Sequence, residues 1–226
     1  MEKNTQHWDF RADEVPAIEV EADAGDISLV AEDGMFIKAE LTGGYDAAKT
    51  ALTVEVREGR LLLTVKSKKK WFWSCGSCKN GFRISAPPKT RLTVKNGAGR
   101  VTVGSFAAGA NVSSGAGEVE FRGLSGPISV KSGAGTVSGE IFSEALEVKS
   151  GAGAVNLAWA RGPERGTAAV KNGAGSTTLA FPEGSLVAVK FKSGVGSLTN
   201  ELGDTPSAPF KVEVKSGAGS LTIKKR

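Results

Sequence analysis

Two cysteines three positions apart are the residues best suited to redox or metal chemistry. Cys75 and Cys78 enclose a Gly-Ser pair, which is the spacing of a redox dithiol, and the lysines beside them would favour a thiolate. The flanking sequence lacks the βαβ pattern of a thioredoxin-like motif, and a structural zinc would need two further ligands. Three interpretations stay open: a free dithiol or local disulfide, a regulated redox pair, or a metal site.

The segment around the cysteines also combines basic and aromatic side chains, namely Lys68, Lys69, Lys70, Trp71, Phe72 and Trp73. Lysines beside aromatic rings suit a membrane interface, a sugar or a nucleobase. The three rings could equally cover an open end of the fold. We predict a binding site in this segment if the rings are exposed.

A lysine recurs before a glycine-rich turn in sequences such as KSGAG and KNGAG. It occurs in six of seven copies, with Ser113 in the remaining one: Lys95, Lys131, Lys149, Lys171, Lys192 and Lys215. Valines next to these lysines are predicted to face the core, so the lysines should face outwards as a stripe. The stripe either protects the sheets from aggregation or forms a cationic strip for an anionic polymer.

Enzymatic chemistry is not predicted. His7 is the only histidine, so a nucleophile-histidine pair would depend on one residue near the terminus. No aspartate lies between Arg91 and Gly203, whereas calcium-binding glycine repeats need one in each copy. The glutamates of this region share no repeat position, unlike the paired carboxylates of glycosidases. We predict no catalytic residue, no cofactor and no metal centre.

The repeat predicts the elements that position the lysines. Aligned on the first glycine of each turn, seven copies start at Gly97, Gly115, Gly133, Gly151, Gly173, Gly194 and Gly217. Apolar and polar residues alternate on both sides of each turn, which indicates short half-buried strands, and a period near 20 residues is typical of solenoids. We predict an all-β fold: a single-stranded parallel β-helix or β-solenoid with about seven clear coils, degenerate N-terminal coils and a hairpin.

The turn chemistry gives finer predictions. Glycine tolerates positive φ, so the two glycines should flank a sharp corner, and the small residue between them should point into it. The Asn or Ser before each turn should form a column that satisfies backbone groups. The segment from Ala51 to Lys66 reads as a hairpin with a Glu-Gly turn. An eighth, degenerate copy runs from Ile18 to Leu29.

These features suggest one domain covering residues 1–226. It would comprise an N-terminal extension (1–17), degenerate coils with the hairpin and the basic-aromatic loop (18–91), and the regular Gly-Ala-Gly repeat (92–226). The sequence EVEADAGDISLV, the hairpin and FRISAPPKTRLTVKNGAGRVTV resemble the bacterial putative-adhesin domain family. The resemblance implies a β-helix of parallel coils and little chemistry.

Composition limits the partners. The net charge is +5 and the pI is near 9.2, which suits anionic polysaccharide, lipid headgroups or another protein; nucleic acid is not expected. No apolar run is long enough to span a membrane, and no export signal is visible. As written, the chain is expected in the cytoplasm, or at the cell envelope if a leader was removed. We predict an adhesin-like binding protein; the alternative is a cytoplasmic scaffold whose solenoid ends stack into homo-oligomers.

Overall fold

The computed structural model describes residues 6–68 and 80–226. In these two ranges the chain forms two β-sheets and no helix, so none of the described residues belongs to a helix that could cross a membrane. The all-β prediction is confirmed. The prediction is based on the alternation of apolar and polar residues. In a strand this alternation places the apolar side chains on one face of the sheet, where they are buried.

Sheet 1 contains eleven strands. In spatial order they are β1 (His7–Arg11), β4 (Phe36–Thr42), β7 (Gly81–Ala86), β3 (Ile27–Ala31), β9 (Val101–Val103), β11 (Val119–Ser125), β13 (Val137–Phe142), β15 (Val155–Trp159), β17 (Thr177–Phe181), β21 (Leu221–Lys225) and β19 (Leu198–Asn200).

Sheet 2 contains ten strands. In spatial order they are β18 (Ala188–Val195), β20 (Phe210–Ala218), β16 (Gly166–Ala174), β14 (Ala145–Ala152), β12 (Ile128–Ala134), β10 (Ala110–Ala116), β8 (Arg91–Ala98), β2 (Ala17–Ala22), β6 (Arg60–Ser67) and β5 (Thr50–Arg57).

In the repeat region the chain alternates between the two sheets, and each repeat adds one strand to each. In sheet 2, the neighbouring strands β8, β10, β12, β14 and β16 pair in parallel and in register. Val112, Val130 and Val148 therefore lie side by side. The sheets are nevertheless mixed, because β1–β4, β4–β7 and β5–β6 pair antiparallel. The predicted hairpin is the β5–β6 pair, with Glu58 and Gly59 at positive φ in its turn, as a two-residue hairpin requires.

The core lies between the sheets. Inward valines such as Val94, Val130 and Val148 are fully buried. Towards one end Trp159 stacks on Phe181 with ring centroids 4.4 Å apart, and its indole N–H donates to the Ser143 carbonyl at 3.0 Å. Burying a tryptophan is favourable when its N–H finds a partner. This aromatic cluster fills the space between sheets that valines fill elsewhere.

The strand order at this end departs from the sequence order. The last repeat, β20 with β21, lies between the β16–β17 repeat and the β18–β19 repeat. The C-terminal strand β21 is therefore paired on both sides, by β17 and β19. The C-terminal strand is therefore not an open edge through which solenoid ends could stack. The edges at this end are β18 and β19.

The glycine turns differ from their prediction in two respects. Only the second glycine of each turn has a positive φ, for example +133° at Gly153. The first glycine is required by contact: a Cβ on Gly151 would lie 2.5 Å from the carbonyl oxygen of Gly133 in the neighbouring turn. The residue between them faces solvent instead of the corner, as Ala134 and Ala152 show. Close stacking of backbones, not filling of a corner, explains the glycine pair.

The polar column before the turns satisfies the backbone only in part. The Asn172 side chain donates to the carbonyls of Gly153 and Gly175 at 3.0 and 3.1 Å, and Asn96 donates to Gly25 at 3.0 Å. The buried hydroxyls of Ser114, Ser132, Ser150 and Ser216 have no such partner. The amide side chain reaches the neighbouring turn, and among the serines of the column Ser193 also does so, donating to the Gly219 carbonyl at 3.2 Å.

Candidate lysine groove

The register of sheet 2 places the repeated lysines in one row across the strands. From β12 towards β18 the paired residues are Lys131, Lys149, Lys171, Lys215 and Lys192. These five consecutive positions are called the lysine row below. In parallel strands paired residues lie about 4.8 Å apart, so the row is about 19 Å long.

The row is interrupted on its other side. Ser113 pairs with Lys131 and with Lys95, and the position beyond Lys95 is Glu21. Lys95 therefore stands apart from the lysine row. The predicted stripe exists as five contiguous lysines and one separate lysine.

A groove runs beside the row. It has a volume of about 1080 Å³, and its described lining residues are the Lys, Ser or Asn, and first Gly of successive turns, with Glu21, Ala22 and Asp23 at one end. Lys192 continues the row beyond the groove lining. Because the glycines carry no side chain, backbone forms the groove floor on that side. We call this feature the lysine groove.

The lysines differ in their ion pairs. Lys95 donates to Glu19 at 2.7 Å, and Lys149 contacts Glu147 at 2.6 Å. Within the described ranges the other four members of the row, Lys131, Lys171, Lys215 and Lys192, form no ion pair. The row thus carries more positive charge than the neighbouring carboxylates neutralise.

The local pKa shifts follow from these contacts. The hydrogen bond from Lys95 lowers the pKa of Glu19, and that of Lys95 is raised in return. The Lys149 side chain lowers the pKa of Glu147, with smaller contributions from Lys171 and Lys131. A carboxylate next to several ammonium groups favours its charged form. The three lysines are on neighbouring strands in register, which accounts for their joint action on Glu147.

The glutamates beside the five-lysine row lie on one side of it, and Glu21 and Asp23 lie only at the far end of the groove, beyond Lys95. Glu147 and Glu213 precede Lys149 and Lys215 by two residues on the same outward face of sheet 2, whereas the glycines follow the lysines. A flexible anionic chain would be repelled on the glutamate side and admitted on the glycine side. The sequence did not reveal this asymmetry, although the Glu-x-Lys spacing could have indicated it.

Of the predicted site residues in the basic-aromatic segment, Lys68 alone is among the described residues, and it does not line the groove. Lys68 lies near the β5–β6 pair and donates to the Ala47 carbonyl at 2.7 Å. The remaining residues of the basic-aromatic segment, and both cysteines, lie outside the described residues: Lys69, Lys70, Trp71, Phe72, Trp73, Cys75 and Cys78. Binding by that segment, and the state of the cysteines, stay predictions.

His7 lies far from the lysine row, on the outward face of sheet 1. It pairs with Glu40 across β1 and β4, and Glu40 contacts Arg83 at 3.2 Å. Among the described residues no group of three or more His, Cys, Asp or Glu is arranged to hold a metal ion.

The end of the fold formed by β18 and β19 is where a second chain would have to pair if the solenoid ends stacked into homo-oligomers. Val195 and Leu198 are 75% and 44% exposed there, which would suit contact with another chain. The Asp204 carboxylate, however, accepts a hydrogen bond from the Val189 N–H of edge strand β18 at 2.9 Å. An occupied edge donor is not free to pair with an incoming strand. Stacking through the ends stays a prediction.

Comparison with known proteins identifies one family match. Residues 167–224, about a quarter of the chain, match the family described as the N-terminal domain of toast_rack, DUF2154. The matched range runs from β16 to β21 and includes the two repeats whose spatial order is exchanged. No curated protein matches significantly.

Several solved structures are similar over nearly their whole length. A putative cell adhesion protein from Clostridium sporogenes has 13% identity and a TM-score of 0.44, with 99% of each chain covered. A putative adhesin from Bacteroides fragilis has 14% identity and a TM-score of 0.44, with 98% of this chain and 97% of that chain covered. A putative lipid binding protein from Parabacteroides distasonis has 12% identity and a TM-score of 0.42, with 100% and 96% covered. Two of these descriptions carry the adhesion name that the sequence resemblance suggested.

Proposed function

We propose that the protein is a non-catalytic binding protein whose lysine groove holds a linear anionic polymer. The observation that carries the proposal is the row of five contiguous lysines. Lys131, Lys149, Lys171 and Lys215 line one groove and Lys192 continues the row, and in the described part of the chain only Lys149 has an ion-pair partner. A straight row of cations suits a ligand that is itself extended and repeats its negative charge.

The cost of the row supports a ligand. Ammonium groups held at the strand spacing of about 4.8 Å would repel by about 0.9 kcal/mol in water before screening by salt, and flexible lysine stems lower this value by moving apart. The row contains four such neighbouring pairs. An anionic polymer along the groove would replace this repulsion with attraction at every lysine, whereas solvent and small counterions only weaken it.

The outward face of sheet 1 can be compared with that of sheet 2 to test whether the lysines serve only to prevent aggregation. On the same repeats, one outward column of sheet 1 carries mostly hydroxyl residues, for example Ser138, Thr178 and Thr222, and the charged residues beside it form ion pairs, Glu120 with Arg122 and Glu140 with Arg226. A need to keep flat sheets apart would apply to both faces. Among the described residues a contiguous row of lysines, most of them without an ion pair, occurs on sheet 2 and not on sheet 1, which favours a role in binding.

We infer that the repeat region, residues 92–226, is a β-helix in which each repeat forms one coil, within a single domain. Support comes from the parallel pairing of successive repeats in both sheets, which is in register throughout the repeat strands of sheet 2 and shifts at a bulge near Arg122 in sheet 1. This architecture keeps identical side chains at constant spacing. A groove of repeated charges needs such a scaffold, because loops would not hold five lysines in line.

Retention on immobilised heparin, a generic linear polyanion, tests the proposal. The variant carries Lys131→Gln, Lys149→Gln and Lys171→Gln. The matched control carries Lys38→Gln, Lys89→Gln and Lys224→Gln, which are exposed lysines outside the row. Both lose three charges, so net charge alone cannot separate them.

We expect the row variant to bind on the order of 30-fold more weakly than wild type, at about threefold per exposed ion pair. The control should stay within about threefold of wild type. Equal weakening of both variants would mean that total charge, and not the groove, governs binding. Absence of retention of the wild-type protein at low salt would refute the proposal outright.

A further inference from the structure

The spacing of the lysine row restricts the kind of anionic polymer that fits it. The row advances one strand spacing, about 4.8 Å, per charge, with no register shift between β12 and β18. A matching ligand presents one negative charge per step of similar length along a straight axis. An extended polysaccharide advances by about the length of one pyranose ring per unit, which is similar to one strand spacing.

The groove floor favours a flat repeating unit. Gly133, Gly151, Gly173 and Gly217 line it without side chains, and the alanine that follows each glycine is exposed. A sugar ring lying against this surface would contact backbone and small apolar side chains, with no bulky group in the way. A branched or bulky unit would lose the contact with the floor.

The charges beside the row determine where the polymer lies. Glu147 and Glu213 are on the side opposite the glycines, so the ligand's carboxylates would avoid them and reach the lysines from the glycine side. Lysine is a suitable partner, because its flexible stem lets the ammonium group follow a carboxylate at the edge of the ring.

We propose that the lysine groove binds an acidic polysaccharide with one carboxylate on every sugar, in register with one lysine per sugar. This inference rests on the proposed function and adds the ligand's chemical class and spacing. Five sugars would span the row from Lys131 to Lys192.

The test uses oligogalacturonates of increasing length, measured by titration calorimetry with the full chain. We expect the affinity to rise with each added sugar and to level off at about five sugars, because further carboxylates find no lysine in the row. A hyaluronan fragment of the same length has a carboxylate on only every second sugar. It should bind about tenfold more weakly, since about two of the five ion pairs are lost at about threefold each.

A gain-of-function variant makes the register testable without loss of folding. Ser113 is exposed and occupies the position between Lys95 and Lys131, next to the end of the lysine row. Ser113→Lys should join Lys95 to the row and move the length at which affinity levels off from about five to about seven sugars, one per lysine at the strand spacing. As the matched loss, Lys171→Gln should weaken pentamer binding about threefold, and Lys89→Gln, at an exposed lysine outside the groove, should leave it unchanged.

The outcomes separate this inference from the proposed function. Binding of heparin without any dependence on carboxylate spacing, or an unchanged length limit in Ser113→Lys, would overturn the inference and leave the groove as a general polyanion site. Failure of both heparin and oligogalacturonates to bind would remove the proposed function as well.

Discussion

Close backbone stacking at the glycine turns leads to a quantitative stability prediction. In Gly151→Ala the new Cβ would lie 2.5 Å from the Gly133 carbonyl oxygen, about 0.9 Å short of ordinary van der Waals contact. The φ of Gly151 is not in the positive range, so overlap is the only penalty. Because strands of two neighbouring repeats must separate, we expect a loss of about 3 kcal/mol, at the upper end of typical overpacking costs.

Three further glycines separate overlap from backbone strain. Gly184 has a φ of +80° and open space around its Cβ position, whereas Gly44 has open space and no positive φ. Gly153 combines a φ of +133° with overlap on the Gly135 carbonyl. We expect Gly44→Ala to change stability by about 0.5 kcal/mol or less and Gly184→Ala to cost about 1–2 kcal/mol. Gly153→Ala should cost about 4 kcal/mol or more, because both penalties apply.

Urea unfolding followed by far-ultraviolet circular dichroism measures all four variants against wild type. The expected order of stability loss is Gly44, Gly184, Gly151 and then Gly153. If Gly151→Ala is no less stable than Gly44→Ala, the turns do not stack as closely as described. If Gly184→Ala costs as much as Gly153→Ala, strain alone accounts for the second glycine.

Two other contacts give predictions. Trp159→Phe removes the indole donor to the buried Ser143 carbonyl and should cost about 1–3 kcal/mol in the same urea assay; a loss below about 0.5 kcal/mol would contradict that hydrogen bond. The Lys95 contact lowers the pKa of Glu19, so its stabilisation is present above the unfolded-state pKa of about 4.3 and is lost as pH falls through the lower folded-state pKa. Glu19→Gln should therefore be about 0.5 kcal/mol less stable than wild type at pH 7 and equal to it at about pH 2, well below the unfolded-state pKa; a difference that persists in acid would refute the pair.

The strands, the hairpin and the outward direction of the lysines could be predicted from the sequence, because each depends on local alternation and turn chemistry. Val130, Lys131 and Ser132 must face alternately inwards and outwards in any strand, and a Glu-Gly pair between two alternating segments is sufficient for a hairpin turn. The positions of the glycine pairs at the turns could also be predicted from the sequence. The reason for the first glycine was not, since the atom it avoids belongs to the neighbouring repeat.

The order of the repeats and the shape of the site were decided only by tertiary structure. β18 and β20 carry the same Lys-Ser-Gly signature, so local sequence allows either to follow β16. In the fold, β20 lies inboard with Val212 and Val214 fully buried, whereas Val189 and Phe191 of β18 stay partly exposed at the end. That choice places Lys215 between Lys171 and Lys192 and makes the row continuous. The sequence by itself determined which way each side chain points; which strands become neighbours depends on long-range burial, and the row of charges exists only after that pairing.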